Sequence, residues 1–280
     1  MARRLDEFRS LDHLHEMPVA QAREVNDREA VVMFGPVEQV ATVRDVTIAG
    51  SIPVRIYEPA PPARGSLVYF HGGGWVVGSL ASHDGVARHL CRHGGGTVMA
   101  VDYRLAPEHP FPAAVDDAWA AMQWAHRELA PPLAVGGDSS GGGLAAVMAR
   151  RARDTGIALA LHLLVYPSLD LSAAGGLDGY WTRSYLGGRQ DAARDPDASP
   201  LLASNLDGLA PACLVSCAMD SLWAQAVRYE ARLSESGVPV EHSVYPDLIH
   251  GAYRMPAVVS GARAMLDDSA AALSHALRLK

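Results

Sequence analysis

The 280 residues are 49% hydrophobic and 20% charged, a globular balance that excludes a disordered or fibrous chain. With 24 basic against 31 acidic residues the formal net charge is −7, which argues against nucleic acid as the main partner, because affinity there rests on Lys and Arg neutralising phosphates. Three cysteines are too few for a disulfide framework, and a chain this long buries enough surface to fold without one.

Residues 1–40 read as a helical cap segment. Charge is mixed into every turn, and the apolar positions Leu5, Phe8, Leu11, Leu14 and Val19 predict one or two amphipathic helices, the first broken by Pro18. That charge leaves no apolar stretch for a signal peptide, and no run is long enough to span a bilayer. A cytoplasmic location without membrane insertion is expected.

Two short β runs follow, Thr42 to Ile48 and Ile52 to Tyr57, joined by Ala49-Gly50-Ser51. That spacing predicts a hairpin. The rhythm then changes. Apolar runs at 67–70, 97–101, 133–136, 161–166, 213–216 and 240–245 alternate with helical patterns near 82–93, 112–129, 140–154, 222–236 and 258–278. Continuous apolar strands between helices predict a mostly parallel sheet covered on both faces. Such sheets bind ligands at the carboxyl ends of their strands.

Cys213 and Cys217 fall on one such strand, about 13 Å apart at four residues' separation, too far to bridge. No Cys or His pair has zinc-finger spacing, so buried thiols and no metal are expected. Residues 170–206 interrupt the alternation. They hold Tyr180, Trp181 and Tyr185, then Gly187-Gly188, and an insertion of this length in a compact sheet protein is often functional. The core is expected at 41–169 and 207–280.

Gly137-Asp138-Ser139-Ser140-Gly141 fits G-x-S-x-G. The pattern alone is weak; its context is specific. An apolar strand precedes it and a small-residue helix follows, the setting a nucleophile elbow requires. The register selects Ser139, because Ser140 would need Gly where Asp138 stands. A phosphate loop would need Gly-Lys-Ser/Thr, and no lysine is present here. His71-Gly72-Gly73-Gly74-Trp75 directly follows the 67–70 strand. Consecutive glycines leave backbone N–H groups uncovered, able to face a developing oxyanion without reorganising.

These two motifs, with Asp102-Tyr103-Arg104-Leu105-Ala106-Pro107-Glu108-His109-Pro110-Phe111-Pro112-Ala113 between them, resemble the hormone-sensitive-lipase-like family of α/β-hydrolases, in its bacterial carboxylesterase branch. The similarity runs from about residue 45 to the end. The resemblance implies an α/β-hydrolase core, a mainly helical cap, and ester hydrolysis without a cofactor. It also implies an oxyanion hole from the N–H groups of Gly73, Gly74 and Ser140. Ser140 stands where the family most often has Ala. Arg104 and Glu108 belong to a stretch that braces the glycine loop in this family, and His71 reads as a loop-fixing residue.

A serine nucleophile needs a base, and the base an orienting carboxylate. In this fold they follow in the order serine, acid, histidine. Of the histidines after Ser139, His162 and His242 lie in strand patterns and His275 in the last helix. Only His250 is in a loop at the right edge, followed by Gly251 like the family's late His-Gly. Asp220, just past the 213–216 strand, is the expected acid, with Asp247 as rival. Trp223, Ala224 and Gln225 replace an acidic neighbour usual in the family. Trp75, Tyr180, Trp181, Tyr185 and Trp223 are candidates to line the pocket, with ordinary core or cap packing as the alternative for each. The expected substrate is a small ester of short to medium acyl chain. The same machinery serves lactone or amide cleavage, deacetylation of a natural product, or acyl transfer. Receptor-like relatives lack a triad member, and all three stand here. The sequence leaves a homodimer open.

Overall fold

The computed structural model describes residues 14–60, 62–172 and 176–278; Leu5, Phe8 and Leu11 lie outside them. Helix α1 (Val19–Phe34) starts directly after Pro18, where a proline ends one segment and permits the next. The hairpin β1 (Thr42–Ile48) and β2 (Ile52–Glu58) turns through the expected residues. Next come β3 (Ser66–Phe70), α2 (Asp84–Gly94), β4 (Thr97–Val101), α3 (Ala113–Glu128), β5 (Leu133–Asp138), α4 (Ser140–Thr155) and β6 (Leu159–Val165). The interruption after β6 contains α5 (Gly176–Leu186) and two 3₁₀ turns, Gln190–Arg194 and Pro200–Leu202. The chain then runs through β7 (Ala212–Cys217), α6 (Trp223–Glu235), β8 (Val240–Tyr245) and α7 (Ala262–Ala276).

The strands form one eight-stranded sheet in the order β1-β2-β4-β3-β5-β6-β7-β8. The β1–β2 and β2–β4 pairs are antiparallel, and every pair from β4 through β3 to β8 is parallel. This is the α/β-hydrolase fold. The runs of β3, β4, β5 and β7 are buried throughout because both faces are covered, whereas the 240–245 run, expected to be apolar, forms the partly exposed edge strand β8. On β3, Val68 and Phe70 pack with Val115 and Met122 of α3 and Leu144 of α4. Their neighbours Leu67 and Tyr69 point the other way, to Leu90 of α2 and Met265 and Leu273 of α7, as the two-residue strand period demands. Crossing β3 and β4 puts β3 beside β5, so the loops leaving both strands open side by side. Cys91, Cys213 and Cys217 are buried and free. Among the described residues, no helix is long and apolar enough to cross a membrane.

His162 of β6 is fully buried. Burial pulls its pKa down to about 4, and the nearby Ala210 and Pro211 carbonyls offset this only in part. Burial likewise lowers His71 to about 3. Both rings are therefore neutral in the fold, whereas unfolded imidazoles titrate near 6.5. Below that pH the unfolded chain binds more protons. Stability from these groups is thus full above about pH 6.5 and falls as pH drops toward about 4, by up to ~1.4 kcal/mol per pH unit for each ring. Chemical denaturation between pH 7 and 4.5 should show this acid limb, and His162→Gln should lower its slope by one proton. An unchanged slope in that variant would contradict the assignment.

Candidate active site

β5 ends at Asp138 and α4 starts at Ser140, so the chain reverses at Ser139 alone. Ser139 adopts φ 54°, ψ −120°, a region that side-chain-bearing residues rarely occupy. Its backbone groups are nevertheless satisfied. The N–H donates to the Val165 carbonyl at 2.9 Å, and the carbonyl accepts from Gly143 and Ser168, each at 3.0 Å. Gly141 permits the reversal, because a Cβ there would run into the Phe70 carbonyl of β3. The turn therefore seats Ser139 on the carboxyl edge of the sheet with its hydroxyl pointing away from the strands.

His250 arrives from the loop after β8. Its Nε2 lies 2.9 Å from Ser139 Oγ and its Nδ1 2.7 Å from Asp220 Oδ2. Asp220 sits in the turn after β7 with a fully buried side chain. Its other oxygen accepts the Leu222 N–H at 2.8 Å, which fixes the carboxylate's orientation. The Tyr166 ring packs against the imidazole with centroids 4.7 Å apart. The rival acid Asp247 is exposed, and Asp220 is the carboxylate brought to the ring.

The glycine loop stands across from this pair. Among the described residues, neither the Gly73 nor the Gly74 N–H is taken by a protein acceptor. Ser140 occupies the first position of α4, where a helix leaves its N–H without an internal partner. Gly73 has φ 131°, and its carbonyl accepts from Val76 at 3.1 Å and Val77 at 2.9 Å. His71 fixes the base of the loop. Its Nδ1–H donates to the Gly72 carbonyl at 2.9 Å, its ring stacks on Tyr103, and Tyr103 Oη donates to the His71 carbonyl at 2.7 Å.

Asp138 joins the turn to the loop. This buried carboxylate accepts from Tyr69 Oη at 2.8 Å and from the Gly72 N–H at 3.0 Å, and His83 Nε2 lies 3.2 Å from it. Burial alone would raise its pKa; His83, Arg254 and the Tyr69 hydroxyl outweigh burial and hold it well below the ordinary carboxylate value. The sequence singled out Asp138 only as the x of the motif, and nothing in the pattern indicated its partners.

Arg23 of α1 was not legible at all. Its guanidinium meets both Glu108 oxygens, at 2.9 and 2.7 Å, and donates to the Val76 carbonyl at 2.9 Å and the Ala106 carbonyl at 3.0 Å. Glu108 thus braces the glycine loop through Arg23. Arg104 does not: it pairs with Asp117 on α3, Nη2 to Oδ1 at 2.7 Å, because its side chain points toward that helix. Gln225, one of the residues that depart from the family pattern, accepts the Leu169 and Asp170 N–H groups at 2.7 and 2.9 Å. It ties the start of the insertion to α6.

The five aromatics separate. Trp75 and Tyr185 are buried and stacked on each other, centroids 4.2 Å apart. Trp181 covers Gly74 so closely that a Cβ there would come within 2.8 Å of the indole. Tyr180 packs edge-on against Trp181. Trp223 is 39% exposed at the start of α6.

A serine on a strand–turn–helix reversal, followed in the chain by an acid and then a histidine on one edge of a sheet of this order, defines an α/β-hydrolase. A family model for the alpha/beta hydrolase fold matches residues 67–254. The carboxylic ester hydrolase LipN of Mycobacterium tuberculosis is 37% identical over 82% of this chain and 69% of its own. The ethyl acetate hydrolase of Pseudomonas putida is 33% identical over 89% of this chain and 87% of its own. A solved structure of the Pyrobaculum calidifontis esterase superposes with a TM-score of 0.87 at 34% identity, over 93% of this chain and 94% of that one. The chain belongs to the hormone-sensitive-lipase-like family and is a carboxylesterase-type serine hydrolase.

Asp138→Asn keeps the shape but removes the charge and replaces an acceptor with a donor beside Gly72. The loop should shift by a fraction of an ångström to about one, which can cost about 10²-fold in turnover. We expect kcat for an activated ester to fall by about that factor with KM nearly unchanged. A variant with wild-type kcat would show that Asp138 does not hold the loop.

Proposed function

We propose that Ser139, His250 and Asp220 form a catalytic triad that hydrolyses carboxylic esters through an acyl-enzyme. Ser139 Oγ attacks the acyl carbon while His250 Nε2 takes its proton. Asp220 keeps the other imidazole proton on Nδ1 and stabilises the charged ring. The N–H groups of Gly73, Gly74 and Ser140 receive the oxyanion, and one such donor is worth about 3 kcal/mol. His250 then protonates the leaving alkoxide. It next takes a proton from water, which attacks the acyl carbon, and returns that proton to Ser139 Oγ as the carboxylic acid leaves. The observation that carries this reading is the hydrogen-bonded chain from Asp220 through His250 to Ser139, at 2.7 and 2.9 Å.

We read residues 1–40 and 170–206, of which 1–13 and 173–175 lie outside the described residues, as the cap over a core of 41–169 and 207–280. The Arg23 clamp on Glu108 and the indole of Trp181 over Gly74 support that division. With Trp181 so near the proposed oxyanion donors, the acyl group has a short path before it meets an aromatic wall. We therefore propose esters of short to medium acyl chain as substrates. A relative named for hydrolysing ethyl acetate supports this choice.

Ser139→Ala should fold normally and lose hydrolysis of p-nitrophenyl acetate. Asp220→Asn should reduce turnover by at least about 10², because an amide favours the wrong tautomer of His250. Asp247→Asn should turn over like wild type. The two aspartate variants measured side by side decide the acid; a crippled Asp247→Asn beside a normal Asp220→Asn would overturn its assignment. A series of p-nitrophenyl esters should show kcat/KM falling beyond about eight acyl carbons.

A further inference from the structure

The second half of α2 carries a side-chain cluster that ester hydrolysis does not use. α2 leads from the glycine-loop side of the sheet back to the start of β4. Its last turn therefore lies at the amino ends of the parallel strands, the opposite edge from Ser139. His89 and His93 are four residues apart on this helix and so share a face; their ring centroids are 4.4 Å apart. Glu38, from the connection between α1 and β1, meets both. Its Oε1 is 3.1 Å from His89 Nδ1 and its Oε2 2.7 Å from His93 Nε2. One ligand atom from each of the three lies within 4.8 Å of the other two.

The contacts around His89 Nδ1 conflict if only protons are available. Glu38 Oε1 at 3.1 Å calls for an N–H there. Arg263 Nη1, 3.0 Å away, can only donate and calls for a lone pair. A cation among Glu38, His89 and His93 would take the Nδ1 lone pair in place of Arg263 and would accept lone pairs from the carboxylate and both imidazoles, so the Arg263 guanidinium has to swing aside for it to bind. Behind His89, Asp267 of α7 places Oδ1 3.0 Å from Nε2, off hydrogen-bond geometry as it stands, and the exposed Asp267 side chain can turn to accept the Nε2 proton. A carboxylate on the far nitrogen is the usual outer partner of a metal-binding histidine, fixing the ring and raising its basicity. Two imidazoles and a carboxylate suit Zn²⁺ and its first-row neighbours, with a fourth position left for water.

The bland reading is an ion-pair network, because Arg92 Nε is also 3.2 Å from Glu38 Oε2 and Arg263 Nη1 3.4 Å from Oε1. These arginines are 57% and 45% exposed, so each can swing into water, while the His89 ring is held in place by burial. We propose that Glu38, His89 and His93 bind a divalent transition-metal ion, with Asp267 positioning His89. The ion pins the connection after α1 to α2 and α7, so it acts on stability rather than turnover. Zinc-finger spacing in the sequence could not reveal it, because the carboxylate comes from about fifty residues upstream.

Isothermal titration of the metal-free full chain with Zn²⁺ tests this, with Tm and the visible spectrum of the Co²⁺ form as independent readouts. Wild type should bind one Zn²⁺ with a rise in Tm that Mg²⁺ does not give. His93→Gln and Glu38→Gln should each weaken binding by more than about tenfold, and Asp267→Asn by about 10–100-fold. Arg263→Gln should tighten it by removing a competing cation. His93 is half-exposed, so that variant should fold even if Glu38→Gln does not. Absence of stoichiometric Zn²⁺ binding, or equal affinity in wild type and His93→Gln, overturns the proposal.

Discussion

The conformation of Ser139 is the constraint on which the rest of the molecule depends. A non-glycine residue at φ 54°, ψ −120° carries strain of about 1–3 kcal/mol. It persists because the surrounding chain fixes it from several sides. The carbonyl of Val165 at the end of β6, the N–H of Ser168 beyond it and the N–H of Gly143 in α4 hold the two peptide groups of the turn. The same β6–β7 junction carries Tyr166, whose ring backs His250. The elements that fix the serine therefore also fix the approach of the imidazole. In the proposed mechanism this geometry is preorganised, so little reorganisation accompanies attack.

Asp138 extends that constraint to the glycine loop. A buried charge is expensive unless it is paired and hydrogen-bonded. Here Tyr69, the Gly72 N–H and His83 surround it, and all three come from β3 or the segment between β3 and α2. The residue immediately before the proposed nucleophile thus fastens the loop holding two proposed oxyanion donors. From the solvent side Arg23 does the same through Glu108 and the Val76 carbonyl. Two charged anchors, one buried and one partly exposed, hold one flexible stretch of glycines.

The strands and main helices were legible in sequence because burial on both faces writes them as continuous apolar runs. Boundaries moved where composition misleads. β5 continues through Gly137 and Asp138, which pair with Leu164 and Val165 of β6 although neither favours a strand. β6 starts at Leu159, two residues early. α7 starts at Ala262 rather than 258, after Gly261 at φ 90°. Ser139, His250 and Asp220 were legible because motif, loop position and chain order each restrict the choice. The anchors were not. Arg23 meets Glu108 across 85 residues, and Gln225 meets Asp170 across 55, and such pairs leave no periodic trace. In sequence Arg104 and Glu108 share one structural role as a stretch, but their partners differ: Glu108 meets Arg23, and Arg104 meets Asp117 on α3.

The central claim is that Ser139, and not its neighbour Ser140, is the nucleophile activated by His250. Covalent trapping tests it most directly. The protein is treated with a p-nitrophenyl phosphonate, digested, and mapped by mass spectrometry. One adduct per chain on Ser139, formed far more slowly in His250→Ala, is the predicted result. An adduct on Ser140, or full ester turnover without any adduct on Ser139, would contradict the account.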